Sequence, residues 1–100
     1  MGRAATPPPK GFSLTVINFT REQLRQRGAD MSGRYLAAHT SMSVTYARDR
    51  LMRERPFNTG DIEELAQLLD FPSPRDFIAA ADAWRPHLVS NDDAEEEPTA

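Results

Sequence analysis

Apolar residues recur through the middle of the chain at helical spacing, and short polar stretches with capping signals separate them. Ahead of these, Phe12, Leu14 and Val16 alternate within a β-branched segment, Phe12–Phe19. That pattern reads as extended, a short strand, with a helical start as the alternative. Thr20, Arg21, Glu22 and Gln23 have the form of a capping box, which predicts a first helix opening at Thr20 and closed by Gly28. Ser32 suits the N-cap of a second helix that runs to His39 or Thr40 and turns Leu36 and Ala37 inward. Thr40, Ser41 and Met42 form a turn, and Ser43 caps a third helix from Val44 to about Arg53.

Pro56 cannot continue that helix, so Arg55–Asn58 is a loop, anchored by Phe57. Thr59 is the expected cap of a fourth helix, whose Ile62, Leu65, Ala66 and Leu69 share one face. Asp61, Glu63 and Glu64 fall in its first turns, where the helix dipole favours acids and solvent accounts for them without catalysis. Phe71 and Pro72 break it. Ser73, Pro74, Arg75 and Asp76 restart the chain with a cap, a proline at the first helical position and an acid soon after. The fifth helix carries Phe77, Ile78, Ala81 and Trp84 up to Pro86. The fold expected is all-α, five short helices in one compact domain over residues 12–86, with the extended segment in front. Residues 1–11, with prolines at 7 to 9, are expected to be a mobile arm, and residues 87–100 an acidic disordered tail.

Composition narrows the function. There is no cysteine, which excludes disulfides and thiolate metal sites, and His39 and His87 are too few and too far apart for zinc. No apolar run nears the roughly 20 residues of a membrane span. Residues 1–10 lack the continuous apolar segment of a signal peptide. The expectation is a cytoplasmic protein with no cofactor and no small-molecule substrate. No nucleophile–base spacing and no glycine-rich phosphate loop is present, and Ser32 and Ser43 are explained as caps, so an enzyme is not expected.

The net charge of −3 is misleading until it is located. Residues 91–100 hold five acids and no base; the rest of the chain holds twelve bases against ten acids, or +2. Residues 21–55 hold eight arginines against four acids, or +4. Screening limits each charge to about 10 Å at 0.1 M salt, so the basic middle governs encounters with phosphate. Two short helices joined by a turn, with small Ala37 and Ala47 where they cross, suit a helix-turn-helix. The second of them bears Arg48, Arg50, Arg53 and Arg55 among small polar residues, which suits insertion against DNA.

From Val16 to Phe71 the layout resembles the lambda-repressor-like (XRE/Cro-type) helix-turn-helix regulators, closest to short phage repressors and Cro-like proteins. Leu36-Ala37, the Met42-Ser43 turn exit, Tyr46 to Leu51, Arg53 to Thr59 and Leu65 to Phe71 carry the resemblance. The chain departs from the family pattern at Ser41, where glycine is usual in the turn, and at Ala47, where valine or isoleucine is preferred. A left-handed turn at Ser41 carries a steric cost.

The resemblance implies a sequence-specific regulator that binds a double-stranded operator, with the third helix, 44–53, in the major groove. It implies base contacts at Ser43, Val44, Thr45, Arg48 and Asp49. Arg34, Arg50, Arg53 and Arg55 are phosphate candidates by charge, and Tyr46 through its hydroxyl. Arg50 lies on the side of the helix that faces an acid of the fourth helix. Weak homodimerisation on DNA would use the Leu14–Phe19 segment as an edge strand, or the outer face of the fifth helix near Trp84. Two other readings are an adaptor or antirepressor built on the same domain, and an antitoxin.

Overall fold

The computed structural model of the chain describes residues 7–85, and within them the structure is helical throughout, with no strand. Five helices follow in order: α1, Gly11–Gln26; α2, Arg34–His39; α3, Val44–Leu51; α4, Thr59–Leu68; and α5, Pro74–Ala83. The acidic segment 87–100, and all but the last few residues of the proline-rich arm, lie outside the described residues.

The segment expected to be extended is the first half of α1, and this is the main correction to the sequence reading. Val16, Ile17, Thr20 and Leu24 are buried together with Phe19, which is helical spacing, while Phe12 remains 42% exposed. The β-branched residues there disfavour helix only by tenths of a kcal/mol each. Burying a side chain of the size of Ile17 or Phe19 contributes roughly 1.5–3 kcal/mol and outweighs that preference. Thr20 is correspondingly an interior residue and not a cap. Its hydroxyl donates to the Val16 carbonyl one turn back at 2.8 Å, so the buried oxygen is satisfied locally. With no strand at 14–19, edge-strand pairing between copies falls away.

The helix ends show why the chain turns where it does. Gly28, at φ +75°, closes α1 as expected: its amide bonds to the Arg25 carbonyl and that of Ala29 to the Leu24 carbonyl. The same pair of bonds closes α3 through Arg53 and α4 through Asp70, both left-handed non-glycine residues. The N-cap of α2 is Gly33, one residue later than expected, and Ser32 supports it by accepting the Arg34 amide at 3.2 Å. Asn58, not Thr59, caps α4, in a reciprocal capping box with Asp61. Ser43 and Ser73 cap α3 and α5 as the sequence implies.

The core joins α1 to α3 and α5, and α4 to α5, while α2 packs on α3. Its centre is aromatic: the Phe19 ring lies 5.4 Å from Phe77, 6.0 Å from Phe71 and 6.1 Å from Trp84, mostly edge to face. Leu36, Met42, Ala47, Leu51, Leu65 and Ala81 complete it. Phe57 packs against its edge, which anchors the α3–α4 loop.

Candidate nucleic-acid interface

The orientation of α3 follows from two small decisions of the sequence. Ser43 accepts the Tyr46 amide at 3.1 Å and fixes where the helix starts. Ala47 and Leu51, four residues apart, are fully buried and fix which side faces the core. The opposite side is therefore Val44, Thr45 and Arg48, all exposed, with Ser43 at its start and Met52 just past its end. Val44 is 44% and Met52 43% exposed. Asp49 sits half-buried at the margin, with an oxygen 3.9 Å from the Arg48 guanidinium. Of the five residues assigned to base contact, Ser43, Val44, Thr45 and Arg48 are thus exposed, and Asp49 lies at their margin.

The α2–α3 crossing depends on a residue that the sequence pattern did not single out. Gly33 is buried at φ +96°, and a Cβ there would lie 2.5 Å from the Val44 carbonyl oxygen and 2.8 Å from the Arg48 amide nitrogen. This close approach at Gly33 sets the start of α2, with exposed Arg34, beside Val44 and Arg48. The turn itself contains no left-handed residue, so the expected cost at Ser41 does not arise. Glu64 of α4 instead holds Ser41 with both carboxylate oxygens, one accepting the amide and one the hydroxyl. Those two bonds keep the Glu64 pKa below the ordinary glutamate value.

The remaining phosphate candidates divide. Arg34, Arg53 and Arg55 are exposed. Tyr46 and Arg50 are turned inward. The Tyr46 hydroxyl donates to Asp61 at 2.8 Å and accepts from the Asn58 side chain at 3.2 Å, so its hydrogen-bonding capacity serves the α4 capping box. Burial, followed by the bond to Asp61, raises its pKa. Arg50 does not pair with an acid of α4; its guanidinium carbon lies 3.4 Å from the centre of the Tyr46 ring. One of its nitrogens, Nε, is buried without a hydrogen-bond partner. Asp61, read as a solvated helix-start acid, is 6% exposed and accepts from both Tyr46 and the Asn58 amide.

Two residues of α1 that the sequence pattern did not single out border this region, and of these only Asn18 lies in the segment expected to be extended. Arg21 donates to the Leu51 carbonyl at the end of α3 at 2.6 Å, and Asn18 accepts from Arg53 Nε at 2.8 Å. Together they tie the C-terminal end of α3 to α1. No cluster of His, Asp or Glu fit to hold a metal ion occurs among the described residues, and none of their helices is long and apolar enough to cross a membrane. The chain matches no protein-family model, no characterised protein and no solved structure.

Proposed function

We propose that this protein binds double-stranded DNA and regulates transcription, with α2 and α3 as a helix-turn-helix of the lambda-repressor-like kind and α3 in the major groove. The observation that carries the reading is the outward face of α3. A helix anchored by Ala47 and Leu51 presents an aliphatic side chain, a threonine and an arginine to solvent, with the Asp49 carboxylate 3.9 Å from that arginine. Arg48 can form two hydrogen bonds to guanine, while Val44 and the Thr45 methyl can meet thymine methyls. Arg34, Arg53 and Arg55 supply charge for the flanking phosphates. Control of transcription then needs no chemistry, since a bound protein excludes or recruits polymerase. One such helix reads too few base pairs to define a genomic site, so two copies on a near-palindromic operator are part of the proposal. The surface around Phe12 and Trp84 is where they would meet weakly.

Salt dependence separates this reading from an adaptor that binds protein through apolar contacts. Three phosphate contacts per copy predict that log K falls with log salt at a slope of about −3. Arg53→Ala should reduce that slope by about 1 on every sequence. A slope near zero, measured by fluorescence anisotropy on labelled duplexes, would contradict the proposal.

A further inference from the structure

A concave surface between α1 and the ends of α3 and α5 is lined by Asn18, Arg21, Glu22, Arg25, Arg53 and Trp84, among others. Each of its two central guanidinium groups is held by a neutral oxygen. Arg21 donates to the Leu51 carbonyl at 2.6 Å, and Arg53 Nε to the Asn18 side chain at 2.8 Å. Among the described residues neither lies within ion-pair distance of a carboxylate. The carboxylate in the cleft, Glu22, is committed elsewhere: it accepts from Arg25 at 2.9 and 2.6 Å and from Gln26 at 3.0 Å. Two positive charges are therefore fixed near each other with no anion between them. Burial, and then the neighbouring Arg53 charge, lower the Arg21 pKa.

We infer that the Arg21–Arg53 cleft is a binding site for the oxyanion of a phosphate group. A guanidinium offers a planar fork of donors matched to two phosphate oxygens. Both forks line one cleft, Arg21 anchored to the end of α3 and Arg53 to α1, and a bound dianion would offset the repulsion between their like charges. The neutral partners matter to the argument, because the Leu51 carbonyl and Asn18 orient the forks without neutralising them. The phosphate has two sources, a nucleic-acid backbone or a free phosphorylated small molecule. The inference stands on the cleft alone and does not depend on the role of α3.

The test is a titration of the full ¹⁵N-labelled chain with pyrophosphate at constant ionic strength, followed by NMR of the arginine Nε–H groups and the Trp84 indole. The expected result is saturable movement of the Arg21, Arg53 and Trp84 signals. Arg53→Gln should weaken the affinity roughly tenfold, as loss of a hydrogen bond to a charged group does, whereas Arg75→Gln on α5 should not change it. Each substitution also removes a tie between α1 and the end of α3, to the Leu51 carbonyl or to Asn18; Arg53→Gln carries the decision because Arg53 is the more exposed of the two. Movement that never saturates, or an Arg53→Gln affinity equal to that of the parent, overturns the inference. Adding a DNA duplex to the saturated sample then identifies the source. Displacement of pyrophosphate assigns the site to backbone phosphate, and co-occupancy assigns it to a free phosphorylated ligand.

Discussion

Gly33→Ala isolates the contact that sets α2 against α3. The methyl group would lie 2.5 Å from the Val44 carbonyl oxygen, 2.8 Å from the Arg48 nitrogen and 3.2 Å from the Arg48 Cα. All three obstacles are backbone atoms of α3, so no side-chain rotation makes room. The substitution also places an L-residue at φ +96°, which costs roughly 1–2 kcal/mol. Overpacking against a rigid neighbour adds about 1–3 kcal/mol. The lower conformational freedom of alanine in the unfolded chain returns about 0.4–1 kcal/mol, for a net loss of roughly 2–4 kcal/mol.

Gly28→Ala is the control. Its φ of +75° carries a similar backbone cost, but nothing lies within 4 Å of the added methyl. It should therefore lose only about 1 kcal/mol. Urea unfolding followed by the fluorescence of Trp84, the single tryptophan, measures both variants. At a slope near 1 kcal/mol per molar urea for a domain of this size, the two midpoints should differ by at least about 1 M. Equal midpoints would mean that the approach of α2 to α3 is loose and that only the left-handed backbone matters, which would refute the reasoning.

Asp61→Ala removes the carboxylate half of the α4 capping box and leaves both the Asn58 amide and the Tyr46 hydroxyl without their acceptor, so urea unfolding should show a loss of about 2–4 kcal/mol, against about 1 for Tyr46→Phe. The reverse ranking would contradict the account. The Glu64 pKa is lowered on folding, first by the Ser41 hydroxyl and then by its amide. Its contribution is therefore present above the ordinary glutamate value and lost as pH falls through the folded one. Glu64→Gln should accordingly flatten the decline of stability below about pH 4.5 in acid-titrated urea melts. The Tyr46 pKa is raised above 10, so its stabilisation holds below the ordinary value and is lost as pH rises through the folded one. Phenolate absorbance should show this group titrating late, and earlier in Asp61→Asn. Phe77→Ala, at the centre of the aromatic cluster, should cost about 3–5 kcal/mol, which calorimetry would register as a large drop in Tm.

What the sequence made legible was local chemistry within a few residues. Ser43 and Ser73 cap where a serine ahead of a periodic segment should, and Gly28 ends a helix because it enters the left-handed region freely. Ala47 was legible as a small contact position where the two short helices cross, and it is fully buried. The errors share a cause, which is that the deciding contact comes from far along the chain. Phe12–Phe19 alternates as a strand does, but Phe19 is claimed by Phe71, Phe77 and Trp84, and only a helix delivers Ile17 and Leu24 to the same core. Thr20 to Gln23 mimic a capping box because a threonine hydroxyl bonds to the backbone equally well inside a helix. Nothing near Gly33 announces that the α3 backbone passes against it. Asp61 and Glu64 resemble surface acids until Tyr46 and Ser41 are brought to them across 15 and 23 residues.

The central claim, that the outward face of α3 reads duplex DNA, is tested most directly by sequencing the duplexes that the protein retains from a random pool. The parent chain and Arg48→Ala are compared under the same salt. The account predicts that the parent enriches one motif with two related halves. Arg48→Ala should then relax the choice at one base pair per half by about 1–3 kcal/mol, tenfold or more, and leave the other positions unchanged. No enriched motif from the parent, or the same motif with the same preferences from Arg48→Ala, would contradict it.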